Sequence, residues 1–144
     1  MFNKGLFSSA SCHWSTPAAL YADLDREFHF NDDPCPLRGT GGLTRDWGTS
    51  TYCNPPYGRE IGHWLKKGYD ESLQGKLVVF LIPSRTDTQW WHEYVMRASE
   101  IRFLRGRLRF GHSKTGAPFP SAIVVFRRAD IVRKHYPGYP NDEN

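Results

Sequence analysis

Apolar positions recur along this chain in short blocks, and each block has its own period. Leu20, Leu24 and Phe28 repeat at i, i+4 and i+8 and form one apolar stripe of a helix. Thr16 and Pro17 stand before it as a hydroxyl N-cap followed by proline at the first helical position. Phe28-His29-Phe30 then leads into Asn31-Asp32-Asp33-Pro34, read as a short strand ending in acid and proline. Residues 37–50 carry Gly39, Gly41, Gly42 and Gly48 and read as a loop before the strand Thr51-Tyr52-Cys53. From Arg59 to Gln74, Ile61, Trp64, Leu65 and Leu73 fit a helix stopped by Gly75. Leu77-Val78-Val79-Phe80-Leu81-Ile82 is a continuous apolar run, the pattern of a strand buried on both faces, and Pro83 ends it. Asp87 is placed to cap a helix carrying Trp90, Trp91, Tyr94, Val95 and Ala98. Ile101, Phe103, Leu108 and Phe110 alternate with arginines around Gly106, which predicts a strand pair or a bent strand. Ser121 to Phe126 is a last strand.

Strands alternating with helices, then a β-rich ending, predict an α/β sheet. In such sheets the site gathers at the carboxyl ends of the strands, and Asp33, Asn54 and Pro83-Ser84 all fall at predicted strand ends. The patterned region, 15–128, reads as one minimal domain. Segments 1–14 and 129–144, the latter with Pro137, Gly138 and Pro140, read as partly disordered extensions.

Composition narrows this picture. The 144 residues suffice for one domain, and 39% hydrophobic with 15% aromatic residues supports a packed core. No apolar run approaches the roughly 20 residues that span a bilayer, and the N-terminus lacks the apolar core of a secretory signal. The reading is a soluble cytoplasmic protein with no membrane partner. Cys12, Cys35 and Cys53 are odd in number and lack metal-site spacing, so they read as free thiols; a zinc site from Cys35, Cys53 and His63 is the alternative. The net charge of +4 and the pI of about 9.1 suit a polyanionic partner. Basic residues concentrate at Arg97, Arg102, Arg105, Arg107, Arg109, His112 and Lys114, and again at Arg127, Arg128, Arg133 and Lys134.

One motif carries chemistry. In Asn54-Pro55-Pro56-Tyr57, two prolines lock the backbone and remove two N–H donors. A carbonyl, a short amide and an aromatic ring remain. Asn54 Oδ1 and a proline carbonyl can accept two hydrogen bonds from an exocyclic amine, and the Tyr57 ring can lie against the heterocycle that bears it. The competing reading is a rigid extended turn with Tyr57 packed on the surface.

From Ser15 to Arg127 the chain resembles the phage-type DNA N-6-adenine methyltransferases, small relatives of the Dam enzymes. The likeness is carried by Ser15-Thr16-Pro17, Asp33-Pro34-Cys35, Gly42-Leu43 with Asp46-Trp47, Asn54-Pro55-Pro56-Tyr57, the run Leu81 to Trp90, Gly106-Arg107-Leu108-Arg109-Phe110 and Phe119-Pro120-Ser121. The resemblance implies a reduced Rossmann-like methyltransferase sheet flanked by helices. It implies a methyl group moved from S-adenosylmethionine to the N6 amine of adenine in double-stranded DNA, inside a bacterial host and encoded by a phage or prophage. Asn54, Pro55, Pro56 and Tyr57 would then be catalytic, with Tyr57 stacking on a base flipped out of its duplex. Thr16 and Pro17 would meet the methionine end of the donor. Asp33, with Pro34 and Cys35, would bind the donor's ribose hydroxyls or ammonium, Asp32 being the second candidate, and Asn54 would border the donor. Gly39-Thr40-Gly41-Gly42 is a loose substitute for the usual glycine-rich turn. Twenty residues lie between Asp33 and Asn54, so the strands that larger methyltransferases carry there are missing.

Arg85, Arg105, Arg107, Arg109 and Lys114 are the candidate phosphate contacts, the alternative being the solvated face of an amphipathic strand. No metal is implied, and His63, His92 and His112 have no assigned role. Cytosine N4, an RNA base or a protein amide would use the same amine chemistry. A nucleic-acid-binding protein that kept the fold without catalysis is the reading from a different class.

Overall fold

The computed structural model describes residues 15–36, 41–110 and 116–128. Along the chain these form α1 (Ala18–Phe28), β1 (Ser50–Cys53), α2 (Ile61–Ser72), β2 (Leu77–Pro83), α3 (Gln89–Glu93), a 3-10 turn (Val95–Arg97), β3 (Glu100–Phe103) and β4 (Ser121–Phe126). The four strands make one mixed sheet in the order β1-β2-β4-β3. β1 runs parallel to β2, and β4 is antiparallel to both β2 and β3. The architecture is the reduced Rossmann-like sheet with flanking helices that the pattern and the resemblance predict.

Register decides which side chains share a face. Tyr52 stands beside Val79, and Leu81 beside Ile123, which stands beside Arg102. Side chains alternate along a strand, so these residues point to one face, and Asn54, two residues after Tyr52, continues that row. α1 covers this face. The Phe28, Phe30 and Tyr52 rings pack in series, Ser50 Oγ donates to the Phe28 carbonyl, and Arg102 forks onto Glu27 at 2.6 and 2.7 Å. Phe80, Phe126 and Phe103 point to the other face, under α2 and α3. Gly68 of α2 lies on the Phe80 ring so closely that a Cβ there would come within 2.3 Å of it. Tyr69 packs on Phe126, and Trp91 stacks on Phe103. The apolar run of β2 is buried from Val78 to Pro83 because strands flank it on both edges and helices on both faces.

Four expectations need correction. The strand expected before Asp33 contracts to a single bridge, Asp32 beside Thr51. Asp32 spends its side chain on Arg45 and the Gly48 N–H, which holds the chain in a loop there. Thr16 does not cap α1: Pro17 occupies the N-cap position with no side-chain cap, and the Thr16 hydroxyl turns instead to Tyr52. Thr88, not Asp87, caps α3 by accepting from Trp91 N at 3.3 Å, and that helix ends at Glu93 before a 3-10 turn. The bent strand survives only as Glu100–Phe103. Gly106, at φ 75°, turns the chain away, and residues 104–110 form a loop whose Leu108 carbonyl accepts from Ala117 N at 2.7 Å.

A buried ion-pair cluster closes the lower end of α2. Glu71 receives Lys67 at 2.7 Å and also Lys76. Among the described residues no helix is long and apolar enough to cross a membrane. Lys114, Gly39, Thr40, Cys12 and both proposed extensions lie outside the described residues.

Candidate active site

The register brings the predicted polar breakpoints to one edge of the sheet. β1 and β2 are parallel, so Asn54 and Ser84-Arg85 leave the sheet on the same side. β4 is antiparallel and enters from that side, opposite Pro83, and β3 leaves there at Phe103. The parallel bridge at Asp32 directs Asp33 to the same edge.

Asn54 anchors this edge. It follows β1 directly yet is only 6% exposed, more enclosed than an open strand end would be. Its Nδ2 donates to Thr16 Oγ1 at 3.2 Å, and the Thr16 hydroxyl meets Tyr52 Oη at 2.5 Å. Tyr52 is almost wholly buried, and burial pushes its phenol well above its ordinary range, so it stays a neutral hydroxyl partner. The Tyr52–Thr16–Asn54 relay fixes the amide's rotation and turns Oδ1 away from Thr16. Thr16 therefore positions Asn54 rather than capping α1.

Asp33 lies on the same side of the edge. It accepts from Cys35 N at 3.1 Å. Its negative charge helps to raise the pKa values of Tyr21, Tyr52, Cys35 and Cys53, which marks all four as its electrostatic neighbours. Burial is the larger cause for each, and it pushes the Cys35 thiol up to about 12. Asp32, the second candidate, is committed elsewhere: its two oxygens accept from Arg45 at 2.8 Å each, which holds the carboxyl below its ordinary value. Asp33, with the Tyr21 phenol among its electrostatic neighbours, stays the candidate acid for a ribose or an ammonium group. Pro34 is buried with its carbonyl against Gly42, where a Cβ would approach to 2.0 Å. Among the described residues no three His, Cys, Asp or Glu side chains form a metal-binding group, so Cys35, Cys53 and His63 make no zinc site.

Tyr57 is more enclosed than the surface-packed reading expects. Its ring is neither free to meet solvent nor packed on the surface: it is 6% exposed and packs edge-on against Phe110 and Phe119. Its hydroxyl donates to the Leu81 carbonyl at 3.1 Å. The residue still borders a cleft of about 560 Å³ lined by Gly58, Arg59, Pro83, Arg85, Trp90 and Phe119 among others. The motif thus spans the sheet edge, with Asn54 on the α1 side and Tyr57 on the cleft side. Prolines 55 and 56 connect the two and keep the spacing rigid.

Of the predicted phosphate contacts, Arg85 lines the cleft and lies over the Phe119 ring at 5.8 Å. Arg105, Arg107 and Arg109 are exposed on the loop after β3 and do not line it. Sequence reasoning passed over Arg59, read Trp90 only as part of a helix, and did not use Phe119 chemically. A lone arginine after a turn, or an aromatic residue at helical spacing, carries no signal of a cleft until α2 and α3 are set side by side. Ser84 Oγ and Ser121 Oγ are buried at this edge without a hydrogen-bond partner among the described residues.

Two comparisons with known proteins match this arrangement. A curated protein of Haemophilus phage HP1 (strain HP1c1), named DNA N-6-adenine-methyltransferase, is 26% identical over 133 residues, covering 78% of this chain and 77% of its own length. The family described as DNA N-6-adenine-methyltransferase (Dam) matches residues 6–130. That match takes in every described element from α1 to β4 and the Asn54–Tyr57 edge with them, and on it the chain belongs to the DNA N-6-adenine-methyltransferase (Dam) family.

Proposed function

We propose that this protein transfers a methyl group from S-adenosylmethionine to the N6 amine of adenine in double-stranded DNA, with the target base flipped into the cleft beside Tyr57. The observation that carries the reading is the anchored Asn54 amide. It stands at the sheet edge between the Asp33–Thr16 side and the aromatic cleft.

S-adenosylmethionine supplies an electrophilic methyl on a sulfonium. Asp33 would hold the donor's ribose hydroxyls or ammonium, and Thr16, Pro17, Pro34 and Cys35 would border it. The remaining chemistry belongs to the chain. An adenine N6 lone pair is delocalised into the ring. Hydrogen bonds from both amine protons, to Asn54 Oδ1 and the Pro55 carbonyl, draw that nitrogen toward tetrahedral geometry and aim its lone pair. No strong base is required, since the nitrogen loses a proton readily once it carries the methyl group. A neutral amide suits this role better than a carboxylate, which would be costly to bury at this site. Tyr57, Phe119 and Trp90 offer the base apolar surface in place of its lost stacking, a contact worth roughly 1–3 kcal/mol per base.

Nucleoside mass spectrometry of DNA from cells expressing the chain tests the reading. N6-methyladenine should rise above the level in cells expressing Asn54→Ala. N4-methylcytosine in its place would reassign the acceptor. A folded chain that leaves no modified base would favour the binding-protein reading.

A further inference from the structure

The cleft beside Tyr57 is lopsided in charge. Its lining includes Arg59 and Arg85 and no carboxylate at all. Among the described residues neither arginine forms an ion pair, while Arg26, Arg45, Lys66, Lys67, Lys76 and Arg102 all do. Both guanidinium groups are exposed. A cleft that gathers two uncompensated cations over an aromatic floor is built for a ligand with a flat apolar part and more than one negative charge.

Their mountings are rigid and separate. Arg59 sits between Gly58, at φ 142°, and Glu60, whose carbonyl accepts from His63 N and Trp64 N as α2 begins. Arg85 follows β2. Its N–H donates to the Pro83 carbonyl at 2.9 Å, and its own carbonyl accepts from Thr88 N and Thr88 Oγ1. The Phe119 ring beneath its guanidinium fixes its direction. The two arginines thus reach one cleft from loops that follow neighbouring parallel strands.

We infer that Arg59 and Arg85 form a clamp on the sugar-phosphate backbone of the target nucleotide, one phosphate each, on either side of the base held in the cleft. Arg59 is a new assignment, and the loop arginines 105, 107 and 109 do not line this cleft. The inference rests on the reading proposed above. Its consequence is that the clamp holds the strand carrying the target base without reading its sequence.

The test uses the full chain and DNA fragments that the wild type is first shown to methylate. Binding of a short duplex cut from such a fragment is followed by fluorescence anisotropy across a salt series. Arg59→Ala and Arg85→Ala should each lower the salt slope by about one, and the double variant by about two. Each single variant should lose about 3.5-fold less affinity than wild type between 50 and 200 mM salt, the fourfold dilution raised to the missing power. KM for DNA should rise about tenfold or more in each while kcat falls far less, and Arg59→Lys should keep the slope. Arg26→Ala, which removes an exposed charge on α1 already paired with Asp23, should leave the slope unchanged. A methylating wild type whose slope is the same in Arg59→Ala, or whose double variant loses no more than one single, overturns the clamp alone. A wild type that methylates no DNA overturns the methyltransfer reading and the clamp together.

Discussion

Replacing Asn54 separates positioning from packing, because the structure gives the amide one identified tie and the chemistry gives it another. The tie is the 3.2 Å bond from Nδ2 to Thr16, itself joined to the buried Tyr52 hydroxyl. Asn54→Ala deletes that bond, at about 0.5–1.5 kcal/mol, with little cavity because the lost group is small. For a chain of this size the melting temperature should fall by about 2–6 °C. The same change deletes the acceptor that aims the target amine. Misplacing an in-line attack costs on the order of a hundredfold, so the rate of methyl incorporation should fall by at least that factor. Thr16→Val leaves the amide present without its Thr16 bond and strands the Tyr52 hydroxyl in the interior. It should cost about 1–3 kcal/mol in stability and part of the rate, and Thr16→Ser should restore both. The double variant should lose less than the sum of the singles, since both remove one shared bond. Asn54→Asp is the finer probe. Thr16 can reverse its hydroxyl and donate to the new carboxylate, so Asp should retain more activity than Ala. Burial raises the carboxyl's pKa, so that retained activity should grow with pH as the charged acceptor forms. The assay is methyl incorporation into duplex DNA with thermal melting in parallel. If Asn54→Ala melts and methylates like the wild type, the assignment of this edge as the active site is wrong.

Three further outcomes follow from separate parts of the molecule. Asp33→Ala should weaken S-adenosylmethionine binding by roughly 1.5–3 kcal/mol in titration calorimetry while DNA binding stays, whereas unchanged donor affinity would remove Asp33 from the site. Neutralising Arg105, Arg107 and Arg109 together should weaken DNA binding on every sequence and lower the salt slope by about three; a constant slope would make them only a solvated loop. Burial alone would raise the Glu71 carboxyl, but hydrogen bonds from Lys67 and Lys76 outweigh it and hold it below its ordinary 4.5. A depressed carboxyl stabilises the fold above that ordinary value and loses its contribution as pH falls through the lower, folded value. Glu71→Gln should therefore cost about 1–3 kcal/mol at neutral pH and little in acid, and equal losses by chemical denaturation at both would refute the ion-pair account.

The strands and helices with the strongest signal were legible in the order of residues. The run from Leu77 to Ile82 could only be a central strand, since six apolar residues in succession need cover on both faces. Ser121 to Phe126 and the core of α2 follow from equally local patterns. The rigidity of the Asn-Pro-Pro-Tyr motif was legible for a related reason: proline geometry is fixed by the residue itself. What local pattern could not carry was allegiance. Thr16 reads as a cap beside Pro17, but a hydroxyl bonds to whichever partner the fold brings, and the fold brought Tyr52 from 36 residues away. Asp32 and Asp33 are indistinguishable as neighbours in sequence; Arg45 claims the first, and only packing decides that. The alternation around Gly106 satisfied the strand period, yet a strand needs an edge to pair with, and β4 offers its free edge only as far as Phe103. Arg59, Trp90 and Phe119 share no sequence signal, because a cleft is a relation between the starts of α2 and α3 and the entry to β4. Tertiary structure alone creates that relation, and with it the cleft in which the target base is proposed to sit.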